Sequence, residues 1–211
     1  MYNERLLRLL AETQIPKVFL DTSSLVSPYE LNGDLLLMES RNSVRNITAH
    51  LLEKGRTLPG FMGDIGYAQS NRERYEGFCQ ALMDAGKTPN PSLCLTTPLG
   101  IDSYREEIDS FLSSLSRMPD AFVCASDYVA CILMQLLEKR GLRVPEDVAV
   151  SGFDNNIEDL LAENLTTVQV FNEELGSRLA LQILYRIKYP HTPHEVTYLE
   201  SKVLYRASTG D

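Results

Sequence analysis

The sequence predicts an α/β fold with doubly wound parallel sheets. Short apolar segments alternate with longer amphipathic segments along most of the chain, a pattern typical of the strands and helices of parallel sheets. The clearest unit runs over 119–167, with a strand at 121–125, a helix, and a second strand at 148–153. Asp127 and Asp154 stand at the ends of these two strands, and open parallel sheets bind ligands at this carboxyl edge.

The composition is that of a globular protein and excludes several classes. The chain has 211 residues, of which 44% are hydrophobic, enough for one large domain or two small ones. The formal net charge is -9 and no basic face is visible, so we do not expect this chain to bind nucleic acid by itself. It contains no apolar segment long enough to span a bilayer and opens on no basic-then-apolar leader, so we expect a cytoplasmic protein without membrane contact.

The cysteines and histidines predict no metal site. The four cysteines lack CxxC spacing, and most lie in apolar periodic segments, which favours reduced, packed thiols. The three histidines do not cluster with cysteines or carboxylates at the spacing of helical metal ligands. We therefore expect no metal and no cofactor.

The other elements follow in regular order. We predict helices at 2–12, 41–54, 70–86, 103–115, 127–140 and 173–189, the last capped by Asn172. We predict strands at 17–20, 35–38, 57–62, 93–96, 121–125, 148–153, 164–170 and 196–205. Because the chain opens on a helix with no strand before it, we expect that upstream strand and helix elements are missing.

A capping-box pattern lies near the middle of the chain. Ser70 and Glu73 have the spacing at which each side chain satisfies a free amide of the first helical turn. Such a helix N-terminus binds oxygen-rich ligands, and Arg74 lies one turn further on nearly the same face. Asp127 and Asp154 offer acceptors for the hydroxyls of a sugar or the N–H edge of a base. The alternative is that Ser70 and Asp127 only cap helices and that Arg74 makes a surface ion pair.

Enzymatic interpretations have little support in the sequence. The chain contains no GxSxG, HExxH, GxxxxGK[ST] or GxGxxG motif in a suitable position. Asp127 and Asp154 are compatible with a general acid and base, but nothing supplies the nucleophile, metal or oxyanion site that such a pair needs. We therefore predict that the chain is not an enzyme.

Several motifs in register resemble the lactose-repressor/galactose-repressor (LacI/GalR) family of bacterial transcription regulators. The segments that carry the resemblance are IPKVFLD, LLEKGRTLPGFMGD, SNRERYEGFCQAL, PDAFVCASDYVA, GLRVPEDVAVSGFDN, NLTTVQVFNEELGSRLA and LYRAST. They occur in the family's order and cover essentially the whole chain.

The resemblance implies a periplasmic-binding-protein-like core of two α/β subdomains with the ligand between them. The N-subdomain, incomplete here, is expected at 1–38 and 170–192, and the C-subdomain at 39–169 and 193–211. The family's helix-turn-helix, hinge helix and first strand and helix elements have no counterpart, so a truncated chain is expected.

The resemblance also implies effector-binding roles at individual positions. Arg74 matches an arginine that clamps the effector, and Asp154 matches the acid of the GFD motif. Asp21 ends a strand where family members place a ligand contact, and Met38 lies where an apolar or aromatic residue stacks on the ligand. The other expected effector-binding residues are Ser70, Ser126, Asp127, Val170 and Asn172. At Ser126 the family more often has asparagine, and a serine makes fewer hydrogen bonds.

The function implied is that of the effector-binding and dimerisation core of a DNA-binding transcriptional regulator of the repressor type. Its expected partners are a small-molecule effector, such as a sugar or related metabolite, a second copy of the chain, and operator DNA through a missing N-terminal domain. The alternative is a periplasmic-type solute-binding protein for a sugar transporter, which shares the fold.

Overall fold

A computed structural model describes residues 3–100, 102–155 and 162–211. The helices are α1 (Glu4–Glu12), α2 (Arg41–Glu53), α3 (Gln69–Asp84), α4 (Tyr104–Ser114), α5 (Asp127–Lys139) and α6 (Asn172–Lys188). The strands are β1 (Val18–Leu20), β2 (Asp34–Met38), β3 (Pro59–Met62), β4 (Cys94–Leu95), β5 (Ala121–Cys124), β6 (Ala149–Ser151), β7 (Thr167–Gln169), β8 (Val196–Leu199) and β9 (Lys202–Leu204). The predicted alternation of strands and helices is confirmed, with ends that differ by a few residues.

Two parallel sheets carry the fold. The first has three strands in the order β1-β2-β8, and the second has four in the order β4-β3-β5-β6. Every strand pair in both sheets is parallel, whereas β7 and β9 form a separate antiparallel pair. The predicted α/β class with parallel sheets is confirmed.

Helices cover both faces of each sheet because successive strand residues point to opposite sides. In the four-stranded sheet, Phe61 packs with residues of α2 and α3, while its neighbour Met62 packs with residues of α4 and α5. In the three-stranded sheet, Leu35 packs against α1 through Leu7, while Leu36 packs against α6 through Leu175. The doubly wound arrangement follows from this alternation.

A buried ion pair fastens α6 to the three-stranded sheet. The guanidinium of Arg186 contacts both carboxylate oxygens of Asp34, at 2.5 and 3.1 Å, and both side chains are almost fully buried. Gln182 donates a further hydrogen bond to Asp34 at 2.7 Å, and the backbone N–H of Glu195 donates another at 2.9 Å. The Asp34 carboxylate therefore accepts hydrogen bonds from α6 and from the residue just before β8, and it holds these two segments together.

The single strand predicted at 196–205 is wrong. The segment forms two strands in different sheets, β8 beside β2 and β9 beside β7. Between them the hydroxyl of Ser201 donates to the carbonyl of Glu39 at 2.7 Å, where the chain crosses from one sheet to the other. The residues of β8 consequently lie with the first sheet, whereas the expected boundaries placed all of 193–211 with the second.

The predicted capping box is also wrong. The helix α3 begins at Gln69, and its N-cap residue, Ala68, makes no side-chain cap. Ser70 therefore lies inside the helix, and its hydroxyl donates to Asp21 at 2.6 Å. Likewise Asn172 is the first residue of α6 rather than its cap.

Within the described ranges, no helix is both long and apolar enough to cross a membrane.

Candidate ligand-binding site

Arg74 lies in the first turns of α3 with its guanidinium enclosed by protein. The residue is 7% exposed, and Nη1 donates to the carbonyl of Ala125 at the end of β5. The guanidinium carbon lies 3.6 Å from the centroid of the Phe153 ring, and Nη2 lies 3.7 Å from a carboxylate oxygen of Asp154. The surface ion pair considered as an alternative for Arg74 is therefore wrong, because the side chain is buried at the carboxyl edge of the sheet.

Asp154 follows β6 and faces Arg74. Its backbone N–H donates to the carbonyl of Val168 at 3.0 Å, so the residue is fixed against the segment of β7. Burial raises the pKa of its carboxyl, and the nearby charge of Arg74 acts in the opposite direction. The side chain is still 31% exposed, so this carboxylate is the part of the pair that is open to a ligand.

Asp127 lies beside this pair but is occupied by protein donors. It is 1% exposed; one carboxylate oxygen accepts from the hydroxyl of Thr167 at 2.6 Å, and the other accepts from the backbone N–H of Asn155 at 2.7 Å. Burial, together with the charge of Asp154, raises its pKa to about 6. The helix cap at this point is Ser126, whose hydroxyl accepts from the N–H of Val129 at 3.3 Å.

Asp21 and Ser70 join the carboxyl edges of the two sheets. Asp21 follows β1 in a left-handed conformation with φ 56°, and its carboxylate accepts from the hydroxyl of Ser70 on α3. The carbonyl oxygen of the next residue, Thr22, accepts a hydrogen bond from the backbone N–H of Gln69 at 2.8 Å. Asp21 and Ser70, two expected effector-binding residues from distant parts of the sequence, are therefore in direct contact.

The other expected site residues are less polar or more exposed. Met38, at the end of β2, is buried and packs with Leu36 and Leu175 under α6. Val170 is half-buried and packs against the same cluster, whereas Asn172 is exposed. The binding roles of all these residues remain predictions.

Sequence reasoning missed the polar side chains that hold Asp154 and its neighbour in place. Asn155 donates through its side-chain amide to Gln169, and its side-chain oxygen accepts from Arg206 at 2.9 Å. The tyrosine hydroxyl of Tyr198 donates to Glu73 at 2.8 Å, a second polar link between the two sheets. No local pattern identifies these residues, because each contact joins positions that are far apart in the chain.

This arrangement suits a polar ligand that carries hydrogen-bond donors and acceptors. A guanidinium and a partly exposed carboxylate can bind hydroxyl groups or ring nitrogens, and charge-assisted hydrogen bonds of this kind are strong. Across the described ranges, no group of three or more His, Cys, Asp or Glu residues is arranged to hold a metal ion.

Comparison with known proteins identifies the family. The family described as periplasmic binding protein-like domain matches residues 48–209. The chain belongs to this family. The expected periplasmic-binding-protein-like fold class is thereby confirmed.

The sequence relatives of this periplasmic binding protein-like chain are transcription regulators. It is 30% identical over 209 residues to the HTH-type transcriptional repressor PurR of Aliivibrio fischeri (strain MJ11), with 98% of this chain and 61% of that protein covered. It is 30% identical over 170 residues to the HTH-type transcriptional regulator DegA of Bacillus subtilis (strain 168), with 80% and 48% covered. The chain thus spans less than two thirds of the length of these relatives.

Solved structures of transcription regulators also superpose on this chain. A transcriptional regulator CelR–cellobiose complex superposes with a TM-score of 0.84 at 26% identity, over 98% of this chain and 63% of that one. A LacI family transcriptional regulator from Silicibacter pomeroyi superposes with a TM-score of 0.74 at 25% identity, over 99% and 74%. The resemblance to the effector-binding portion of LacI/GalR regulators is confirmed.

Proposed function

We propose that the chain is the effector-binding core of a DNA-binding transcriptional repressor, with a sugar or related small metabolite bound between the two sheets. The observation that carries the proposal is the group formed by Arg74, Phe153 and Asp154 at the carboxyl edge of the second sheet. It adjoins the place where Asp21 and Ser70 connect that edge to the first sheet. A ligand held there contacts both sheets and favours one of their relative arrangements.

The regulatory step follows from differential binding. An effector shifts an equilibrium between two arrangements only to the extent that it binds one of them more tightly. We expect a homodimer to transmit the change to helix-turn-helix domains outside this chain, which set the spacing on a two-fold symmetric operator. The net charge of -9 agrees with DNA contact being made elsewhere in the full-length protein.

The ligand class is tested by thermal shift and isothermal titration calorimetry with cellobiose, D-glucose and adenine. Cellobiose is included because one structural neighbour was solved as its complex. We expect at least one of these compounds to raise the unfolding temperature, since a ligand at 100 times its Kd adds about 2.7 kcal/mol to the free energy of unfolding. Failure of all three to bind at millimolar concentration contradicts a glucose-based sugar or adenine as the effector.

Matched arginine variants locate the binding site. Arg74→Lys keeps the positive charge but loses the planar guanidinium. It should therefore lose most of the rise in unfolding temperature that the ligand produces in the wild-type protein. Arg143→Lys is the control, because Arg143 is 70% exposed in a surface pair with Asp147. Equal ligand responses in the two variants would place the ligand elsewhere.

A solute-binding protein for a transporter is the second candidate, since it shares the fold. The identity of the relatives as transcription regulators favours the first candidate. Electrophoretic mobility shift with the full-length protein separates the two: ligand-dependent binding to DNA from its own promoter supports the regulator. The dimer is tested separately by light scattering of the purified chain.

A further inference from the structure

Two consecutive residues at the candidate site adopt left-handed backbone conformations. Asp154 has φ 114° and Asn155 has φ 50°, although neither is glycine. Such conformations cost free energy and persist only where surrounding contacts determine them, and they concentrate at functional sites. What holds this turn therefore also determines where the Asp154 carboxylate points.

Asp127 is hydrogen-bonded to the turn formed by Asp154 and Asn155. Its carboxylate accepts from the backbone N–H of Asn155 at 2.7 Å, and Asp127 itself is almost fully buried. The same carboxylate is bonded to Thr167 of β7, so it ties the start of α5, the turn and β7 to one another. Three further hydrogen bonds hold the turn: the backbone N–H of Asp154 donates to the carbonyl of Val168, and the side chain of Asn155 donates to Gln169 and accepts from Arg206.

Gly152 shows how closely the carboxylate fits. A Cβ atom at this position would lie 2.2 Å from Oδ1 of Asp127, so only glycine permits the approach. The carboxylate of Asp127 is therefore fixed by packing against Gly152 as well as by the hydrogen bonds from Thr167 and Asn155. It does not need to touch a ligand to affect one.

We propose that Asp127 is a positioning residue, whose carboxylate holds the Asp154–Asn155 turn so that Asp154 faces Arg74, and that protonation of Asp127 loosens the turn and weakens effector binding. The binding part of this inference rests on the proposed function. The part that concerns the turn is independent of any ligand.

The charges around Asp127 make protonation accessible. Among the residues that the structure describes, the titratable or charged groups that face it are Asp154 on the turn, Arg206 after β9 and the thiol of Cys124 at the end of β5. Burial and the charge of Asp154 raise the pKa of Asp127 to about 6, against the hydrogen bonds from Thr167 and Asn155 and the charge of Arg206. A protonated carboxyl is a weaker acceptor than a carboxylate, so the bond to the N–H of Asn155 weakens as pH falls through this range.

The first arm of the test follows the backbone amide of Asn155 by ¹⁵N NMR between pH 4.5 and 7.5, without ligand. In the wild-type protein we expect the amide resonance to titrate with a midpoint near the pKa of Asp127. Asp127→Asn should abolish this titration. Thr167→Val, which removes a hydrogen bond that favours the carboxylate, should move the midpoint upward and gives an answer even where Asp127→Asn fails to fold.

Asp154→Asn is the matched control for this arm. It removes the neighbouring carboxyl but leaves Asp127, so the Asn155 amide should still titrate, with a lower midpoint because a repelling charge is gone. An amide that does not titrate in the wild type, or that stops titrating in Asp154→Asn, overturns the assignment to Asp127.

The second arm measures cellobiose affinity by calorimetry at pH 5.5 and 7.5. We expect wild-type binding to weaken by about fivefold or more at the lower pH, as for partial loss of one charge-assisted hydrogen bond. In Thr167→Val the weakening should begin at higher pH, in step with the amide midpoint. A binding profile that stays unchanged while the amide midpoint moves overturns the link to binding. Absence of any cellobiose binding contradicts cellobiose as the effector; the calorimetry then uses whichever of D-glucose and adenine raised the unfolding temperature, and the amide titration still decides the role of Asp127 in the turn.

Discussion

The guanidinium of Arg74 lies over the ring of Phe153, 3.6 Å from its centroid, and the next residue after that ring is Asp154. One dipeptide therefore supplies both an aromatic face and a negative charge to the same cation. Cation–π contacts contribute about 0.5–2 kcal/mol, more where water is excluded, and Phe153 is fully buried. The arginine is thus held in position before any ligand arrives.

The prediction for Arg74 concerns the stability of the ligand-free protein. Arg74→Lys loses the planar stacking on Phe153 and part of the hydrogen bonding to Ala125, so the free energy of unfolding should fall by about 1–2 kcal/mol. Arg143→Lys at the surface should change it by less than about 0.5 kcal/mol. Urea unfolding of both variants measures the difference. Equal stability of the two variants would mean that the enclosed guanidinium adds nothing to the fold.

A pair of helical glycines predicts opposite effects of the same substitution. Gly77 in α3 faces α2 so closely that an added Cβ would lie 2.1 Å from the carbonyl oxygen of Arg41, whereas nothing lies within 4 Å of a Cβ at Gly176 in α6. Gly176→Ala should stabilise the protein by about 0.5–1 kcal/mol through helix propensity. Gly77→Ala gains the same propensity but forces α2 and α3 apart, so it should destabilise by about 1–3 kcal/mol.

Thermal and urea unfolding of the two glycine variants measure this contrast. Because both positions are inside helices, the difference between the variants isolates the cost of separating α2 from α3. A Gly77→Ala protein as stable as Gly176→Ala would contradict the close packing of these helices.

The sequence predicts the architecture and the proximity of Asp127 to Asp154, and it does so for a physical reason. Alternating periodicity determines strands and helices locally. Because the carboxyl ends of parallel strands lie at one edge of the sheet, Asp154 is expected near Asp127. Ser70 shows where this reasoning fails. Its local pattern predicts a helix cap, but the hydroxyl instead bonds to Asp21, a tertiary contact that no local pattern contains.

The split of the last strand fails for the same reason. Residues 196–205 read as one extended segment, and the division between β8 and β9 depends on pairing with β2 and β7, which lie far away in the chain. The contact between Asn155 and Arg206 depends on that division. Long-range pairing therefore decides the parts of the site that local periodicity does not.

The buried pair of Asp34 and Arg186 predicts a large loss on substitution of one partner. Asp34→Asn leaves the guanidinium of Arg186 buried without its counter-charge, so the free energy of unfolding should fall by about 3–5 kcal/mol. Asp147→Asn removes the partner of the exposed Arg143 and should cost no more than about 1 kcal/mol. Urea unfolding of the two variants is the measurement, and similar losses in both would show that burial does not strengthen the pair.

Glu73 predicts a pH dependence of stability with a defined sign. Its carboxylate is buried and accepts from Gln69 and Tyr198, and burial raises its pKa above the usual value of 4.5. Folding therefore favours the protonated form, so the contribution of Glu73 to stability is greatest below pH 4.5 and falls as pH rises through its higher folded-state pKa. Glu73→Gln does not titrate, and its carbonyl can accept the same hydrogen bonds. The stability of Glu73→Gln relative to wild type should therefore increase as pH rises from 4 to 7.

Glu107 supplies a control of opposite sign. Hydrogen bonds from Ser103 and the N–H of Gly100 lower the pKa of its carboxyl, so the contribution of Glu107 is present above its usual pKa and is lost as pH falls. The stability of Glu107→Gln relative to wild type should accordingly decrease as pH rises over the same range. Urea unfolding at pH 4, 5, 6 and 7 follows both differences. If the stability of Glu73→Gln relative to wild type instead decreases as pH rises, as for Glu107→Gln, folding favours the charged form of Glu73, and the hydrogen bonds from Gln69 and Tyr198 outweigh the effect of burial.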